Sequence, residues 1–482
     1  MTTLHLDLDR EGAAPLYLQI YAGLRTAILE GVLAPGQRVP STRALAAELA
    51  VSRQPVLAAY EQLLHEGYLE GRHGSGTYVG RALPGDWPEP RAGALRPAQA
   101  RKDPLPDRAW RGLGPFRTSQ PALDRFPRTL WARLVARHAR RLGPADMAYG
   151  DPAGIADLRA AIAEHLCAAR GVRCEASQVL VVSGSQAALR IAASVLLDHG
   201  DRVALEEPGY AGARAALAAA GARLVHVPVD EEGLDVAALQ RRRERVRAVH
   251  VTPSHQYPLG WMLSAARRLE LLDWAFRRDA WILEDDYDSE YRYVSRPLGA
   301  LQGIDPHGRV IYIGTFSKVL FPALRVGYLV VPEALVARFV EARSALDLFS
   351  PTLYQAVLAE FLRGGHFGRH LRRMRRVYAA RRDALLAGLA QHCAGRLSVI
   401  NADAGLHVAV WLAGGLDEAR VLQAMAARGL TASSLSDCYA TGAKRPGLLL
   451  GFGGSDEQRL LAATRVLGEV LDGTAVQRRA AG

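Results

Sequence analysis

The sequence predicts an α/β protein in two parts: a small helical module ending in a β-hairpin, and a large domain built on a mainly parallel sheet. Three observations carry this. Apolar residues recur at helical spacing between Pro15 and Glu66, and two short strand-like runs follow around a glycine-rich tip. A proline-rich segment then interrupts all periodicity. Beyond it, short apolar runs alternate with helical stretches, the pattern of parallel strands covered by crossover helices. With 482 residues, 49% of them hydrophobic, the chain can bury more than one core.

In the first part, PLYLQIYAGLRTAILEGVLAPG places Leu16, Ile20, Leu24 and Ile28 on one helical face, and Gly31 with Pro35-Gly36 ends the helix. Ser41 sits at an N-cap position ahead of a short helix through Arg43, Leu45 and Leu49. Ser52 is the expected cap of a third helix. Pro55 lies in its first turn, where a missing N–H costs nothing, and Val56, Tyr60 and Leu63 point inward. YLEGRHGSGTYVG supplies the hairpin. Residues 12–80 therefore read as a winged helix-turn-helix. Its third helix would enter a major groove with Ser52, Arg53 and Gln54 at the leading end, Arg43 would reach the backbone, and His73-Gly74 at the wing tip would approach the minor groove. A three-helix dimerisation module is the plainer alternative, against which the whole run from Val39 to Val79 stands.

Charge does not decide between them. The whole chain carries +11 with a pI near 9.7, yet residues 1–80 hold six arginines against eight acids, about −2. DNA binding has to be argued from the motif. Residues 81–115, with Pro84, Pro88, Pro90, Pro97, Pro104, Pro106 and Pro115, read as an extended, semi-rigid tether. There is no apolar run long enough for a bilayer and no basic-then-apolar start, so a cytoplasmic location is expected. Cys167, Cys174, Cys393 and Cys438 show no metal-ligand spacing and read as free thiols.

Residues 116–475 form the large domain, with strands expected at Val179–Val182, Val203–Glu206, Val246–Val251, Trp281–Leu283, Val310–Ile313 and Val326–Val331. Ligands in such sheets gather where strands end. After the first strand, Ser183-Gly184-Ser185 opens a helix, whose N-terminus offers free N–H groups to an anion. EEPGY puts Tyr210 after the second, where its ring could stack on a flat ligand or simply fill the core. WILEDDYDSEYRY ends a strand in Glu284, Asp285 and Asp286, followed by Tyr287; a metal site is the rival reading, but no histidine is spaced to complete one. VIYIGTFSKVLFPALRVGYLVVP carries a lysine among hydroxyls at a strand end, with Arg325 seven residues on. Desolvation would make Lys318 a Schiff-base nucleophile, and hydroxyls with an arginine are what a phosphate dianion needs. A surface lysine after a strand would look the same locally.

The run VPSTRALAAELAVSRQPVLAAYEQLLHEGYLEGRHGSGTYV resembles the DNA-binding domain of GntR-type bacterial regulators, with Pro55 slightly unusual there. The strand-end loops match, in order, those of fold-type I aminotransferases. With TPSHQYPLG, EDDYDSEYRY and GTFSK, the chain resembles the MocR/GabR subgroup of GntR regulators over nearly its full length. The resemblance implies pyridoxal 5'-phosphate (PLP) as cofactor, Lys318 as its Schiff-base lysine and Asp285 as partner of the pyridine nitrogen. It gives Tyr287 to the ring hydroxyl, Tyr210 to the ring face, and Ser185, Gln186, Thr315, Ser317 and Arg325 to the phosphate. Tyr149, in AYGDPAG, would reach the partner subunit's phosphate, which implies a domain-swapped head-to-tail homodimer. The other partner implied is a double-stranded DNA operator.

Two departures bear on function. Tyr257 stands in HQYPLG where working aminotransferases usually carry an asparagine that bonds the ring oxygen. Leu449, in GLLLGFGG, stands where aminotransferases and GABA-sensing relatives carry an arginine that clamps a substrate carboxylate, and a leucine cannot bind one. The expectation is a transcriptional regulator signalled by PLP itself, as in members that control vitamin B6 synthesis, with an amine or amino-acid adduct as the runner-up and transaminase activity at most residual. A true aminotransferase with an accessory domain, or a cofactor-free dimerisation scaffold, are the other classes.

Overall fold

The computed structural model describes residues 6–10, 13–81, 113–294, 299–442 and 444–474. The chain divides into two compact units, Met1–Asp103 and Pro104–Gly482. Of the proline-rich tether, only Arg81 and residues 113–115 fall within the described residues.

In the first unit, helices α1 (Leu16–Leu29), α2 (Thr42–Glu48) and α3 (Arg53–His65) precede strands β1 (Leu69–Arg72) and β2 (Gly76–Val79). Ile20, Leu24 and Ile28 of α1 pack with Leu45 of α2 and Val56, Tyr60 and Leu63 of α3 in one core, and Leu69 and Val79 anchor the hairpin to it. The Ser41 hydroxyl accepts from Ala44 N at 3.1 Å, so α2 has the expected cap. Ser52 occupies the N-cap position of α3 with extended backbone, but its side chain makes no capping bond, contrary to expectation. The β1–β2 turn uses Gly74 and Gly76 at φ +72° and +115°, values a side chain rarely tolerates.

The second unit holds two sheets. The larger comprises β3 (Val179–Val182), β4 (Arg202–Glu207), β5 (Arg223–Asp230), β6 (Gly233–Leu234), β7 (Val246–Val251), β8 (Trp281–Asp286), β9 (Val310–Thr315) and β10 (Gly327–Val330), in the order β3-β10-β9-β8-β7-β4-β5-β6. Strands β4, β5, β7, β8 and β9 run parallel, while β10 is antiparallel to both β3 and β9. The strands β3 and β9 are buried along their whole length, so VLVV and VIYIGT read as apolar runs and the polar residues that follow them stand out. The smaller sheet is antiparallel, in the order β11 (Leu397–Asn401), β12 (His407–Leu412), β14 (Gly447–Gly451) and β13 (Ser433–Ser434). The long helix His366–His392 and the helix Glu457–Thr474 pack beside it, contributing Tyr378, Leu385, Leu467 and Leu471 to the core that holds Leu448 and Leu450. The expected strands are present, most of them extended or trimmed by a residue or more; β5, β6 and the smaller sheet are additional.

Candidate cofactor site and nucleic-acid interface

Alternation along β8 sorts its three terminal acids. Glu284 turns away from the pocket and accepts from Leu301 N and Gln302 N at 2.7 and 2.8 Å; burial pushes its carboxyl up to about 7. Asp286, on the same face, is bonded by Tyr312 at 2.6 Å and paired with buried Arg170, which hold its pKa down against burial. Asp285 points the other way. Its Oδ2 lies 3.3 Å from His250 Nε2, while its buried Oδ1 has no hydrogen-bond partner among the described residues. A buried carboxylate oxygen left without a donor is costly, and here it faces a cavity.

That cavity, of about 200 Å³, brings together Ser185, Gln186, Tyr210, Asp285, Tyr287, Thr315, Ser317, Lys318 and Arg325. Lys318 follows β9, and its ammonium donates to the Ser119 carbonyl at 3.2 Å. Burial lowers its pKa to about 8, the nearby Asp288 and Asp285 carboxylates offsetting part of the effect. Arg325 sits in left-handed backbone at φ +53° and donates to the Ser183 carbonyl, beside the first turn of the helix Ser185–Leu196. Gly184 makes this approach possible, since a Cβ there would lie 3.1 Å from Arg325 Nη2. Free helix N–H groups, short hydroxyls and a guanidinium thus converge on an anion receptor at one end of the cavity. Tyr210 accepts from Gln186 Nε2 at 3.1 Å, and Gly212 leaves room for its ring. Tyr287 donates to the His255 carbonyl at 2.9 Å.

Tyr149 is not part of this cavity; it is 86% exposed and touches Phe349 edge-on. The cavity also takes in Ser119, Thr252, Tyr257 and Pro322, which sequence reasoning did not assign to it. Ser119 lies in irregular chain at φ +63° with no periodic signal, whereas Tyr257 was noticed only as a departure. Leu449 is fully buried in β14, opposite Ala409 and Ser433, in a cluster with Leu259, Leu435 and Cys438 against which Tyr257 packs. Arg445, before β14, stacks on Trp411 with its guanidinium carbon 4.2 Å from the ring centroid.

In the first unit, Arg43, Ser52, Arg53, Gln54, His73 and Gly74 are all exposed. Arg53 Nε donates to Thr42 Oγ1 at 3.1 Å, tying the start of α3 to α2. At the hairpin, Arg72 is engaged by Glu70 at 2.6 Å and by the Tyr78 ring, whereas exposed Arg38, overlooked in the sequence, lies against the turn at Gly76. Among the described residues no helix is long and apolar enough to cross a membrane.

The residues present fit PLP: an anion receptor for the phosphate, an amine of lowered pKa, and a buried carboxylate oxygen awaiting a donor such as a pyridinium N–H. Comparison with known proteins agrees. Residues 16–79 match the family "Bacterial regulatory proteins, gntR family", and residues 122–447 match "Aminotransferase class I and II". The chain is 42% identical over 468 residues to the probable rhizopine catabolism regulatory protein MocR of Rhizobium meliloti, covering 94% of this chain and 93% of that one. It is 34% identical over 472 residues to the pyridoxine biosynthesis transcriptional regulator PdxR of Corynebacterium glutamicum, covering 98% and 99%. Among solved structures, the α-aminoadipate aminotransferase LysN of Thermus thermophilus, complexed with N-(5'-phosphopyridoxyl)-L-leucine, superposes with a TM-score of 0.70 at 31% identity, over 76% of this chain and 93% of that one. The chain therefore belongs to the MocR subgroup of GntR-type transcriptional regulators, DNA-binding proteins whose second domain is a PLP-binding domain of the aminotransferase class I and II fold.

Proposed function

We propose that this regulator reads PLP itself: cofactor held at Lys318 sets how the winged helix grips its operator. The observation that carries this is Leu449, buried and apolar where a substrate-binding member would place an arginine, in the cluster behind a cavity that Lys318, Asp285, Tyr287, Tyr210 and Arg325 line. In this reading Lys318 supplies the amine that retains PLP covalently. Asp285 accepts from the pyridine nitrogen, Tyr287 meets the ring oxygen and Tyr210 covers the ring. Ser185, Gln186, Thr315, Ser317 and Arg325 hold the phosphate. PLP, when bound, supplies a reactive aldehyde and an electron-withdrawing ring. Exposed Tyr149 is assigned to the partner subunit's phosphate in a head-to-tail, domain-swapped homodimer. The divisions assigned are a winged helix over 12–80, a tether over 81–115 and an effector domain over 116–475. Arg43, Ser52, Arg53, Gln54, His73 and Gly74 are the DNA contacts.

A relative named for pyridoxine biosynthesis supports the reading. Control requires that PLP favour one arrangement of the DNA-binding domains over another, a coupling of about 1–3 kcal/mol in typical allosteric proteins. The deciding experiment measures operator affinity of the full chain with and without PLP, after selecting the operator from random duplexes. A change of about fivefold or more is expected; equal affinity with a demonstrably loaded protein rules PLP out as the signal.

A second reading has its own support. Another relative is named for the catabolism of a small molecule, and the fold is that of working aminotransferases. An amine adduct would then be the signal, or transamination the activity. Turnover of amino donors with a keto acid at enzyme-like rates, about 1 s⁻¹ or more, would establish the latter.

A further inference from the structure

Two stretches singled out in the sequence, TPSHQYPLG and EDDYDSEYRY, meet at a buried histidine–aspartate pair that the roles above leave unused. His255 Nδ1 lies 3.0 and 3.2 Å from the two oxygens of Asp288, and both side chains are almost wholly buried. A carboxylate can only accept, so this contact puts the ring proton on Nδ1 and fixes the imidazole's orientation. The same nitrogen is 3.0 Å from the Tyr287 hydroxyl, and that hydroxyl donates to the His255 main-chain carbonyl at 2.9 Å. With the Nδ1 proton turned to Asp288, the hydrogen bond that holds Tyr287 is the one to the His255 main chain, and its ring lies against the imidazole that Asp288 keeps in place.

The pair is also braced from the smaller sheet. Gly405 lies at φ +76°, and a Cβ there would be 2.1 Å from His255 Cε1 and 2.6 Å from Asp288 Oδ2. Gly405 is itself pinned: its N–H donates to the Tyr291 carbonyl at 2.8 Å, and Tyr293 donates to its carbonyl at 2.6 Å. The His407 ring stands 5.4 Å from that of His255, with its Nε2 on the Pro258 carbonyl at 3.1 Å.

We infer that His255 and Asp288 are positioning residues that hold the Tyr287 hydroxyl in register with the cofactor's ring oxygen, and that they act on PLP through Tyr287. The inference rests on the PLP reading of the pocket. It also ties the cofactor to the smaller sheet, because the segment Gly405–His407 that braces the pair leads directly into β12.

A double-mutant cycle on the full chain tests it, reading PLP affinity by spectroscopic titration and the position of the bound chromophore's absorption band. Tyr287→Phe and His255→Leu should each weaken PLP about tenfold and shift the band, as loss of one hydrogen bond to a charged group does. The double variant should be no worse than Tyr287→Phe alone. Asp288→Asn should reproduce His255→Leu, and His255→Gln, which keeps a donor for Asp288, should recover part of the affinity. If His255→Leu does not fold, the cycle is run with Asp288→Asn. Additive losses, or affinity and band unchanged from the native protein, overturn the inference. A native protein that shows no PLP band at all overturns the cofactor reading with it; a native band with additive losses overturns the positioning role alone.

Discussion

The two sides of the pocket obey different rules. On the side formed by the ends of β8 and β9, polar groups converge: Asp285 with an unpartnered oxygen, Lys318 with its lowered pKa, and Arg325 over a helix N-terminus. On the other, Tyr257 lines the cavity and backs onto an apolar cluster of Leu259, Leu435, Cys438 and Leu449 that lies behind it, and the nearest arginine in sequence, Arg445, is spent on Trp411. The first side has what a charged, planar phosphate ester needs. The cluster behind the second holds no cation, among the described residues, to pair with a carboxylate. On the reading proposed above, such a pocket keeps the means to bind a cofactor and lacks the arginine that would clamp a substrate carboxylate, the combination a sensor needs.

The largest effect should come from removing the amine. Lys318→Ala should abolish retention of PLP through gel filtration and with it the visible absorption band. A variant that keeps both would place the covalent chemistry elsewhere and dissolve the contrast between the two sides. Next is Leu449→Arg. An unpaired guanidinium in that cluster should cost about 3–5 kcal/mol, read as a fall in chemical-denaturation stability. Amino acids should restore part of the loss by pairing with it, and only in this variant. If the native protein already binds amino acids tightly, the apolar side has been misread. Asp285→Asn should weaken PLP by about 10- to 100-fold, the worth of a hydrogen bond to a charged partner, with little change in apo stability.

The lysine also makes a pH prediction. Burial lowers its pKa to about 8, so the neutral amine needed for attack is scarce below that value and predominant above it. The rate of PLP capture should rise with pH and reach half its plateau near 8. A half-rise near the ordinary lysine value would mean that Lys318 is not desolvated and that the polar side is wetter than the structure shows.

How much of this was legible in the sequence follows from what is local. Strand β3 is an apolar run and β7 a valine-rich one that carries Arg247 and His250, and the limits of both could be read directly. Lys318, Asp285 and Ser185 sit at strand ends or helix starts, where a single stretch states its own chemistry. Strand β5 was hidden because RLVHVPVD contains Pro228, which argues against a strand, and because it lies toward the sheet's edge. The smaller sheet was hidden because β13 has two residues and because β12 pairs with β14 across an intervening helix, Glu418–Ala427. Ser119 reaches Lys318 through chain that is left-handed at Phe116 and Ser119 and bridged to Gly451 more than 300 residues away. His255 and Asp288 are unremarkable apart; only the fold makes them a pair. Ser52 looked like a cap because it has the right residue type at the right place, but capping depends on a rotamer that sequence does not specify.

Tyr257 stands between the two sides, and the smallest prediction decides to which it belongs. Its ring lies edge-on to Tyr210 and Tyr287 at centroid distances of 5.8 and 6.1 Å, within the cavity, yet its body packs against the apolar cluster. Burial raises its pKa well above the ordinary tyrosine value, so the hydroxyl stays protonated and able to donate throughout the physiological range. If the residue serves as packing, Tyr257→Phe keeps the ring and should change PLP affinity by no more than about threefold, while Tyr257→Ala should cost about 3–5 kcal/mol of stability, as truncation of a buried aromatic does. If the hydroxyl bonds the cofactor, as the asparagine of working aminotransferases does, Tyr257→Phe alone should weaken PLP by about tenfold. The apolar surroundings favour the first outcome. The second would move Tyr257 to the polar side and leave Leu449 as the feature that separates this pocket from one that binds amino acids.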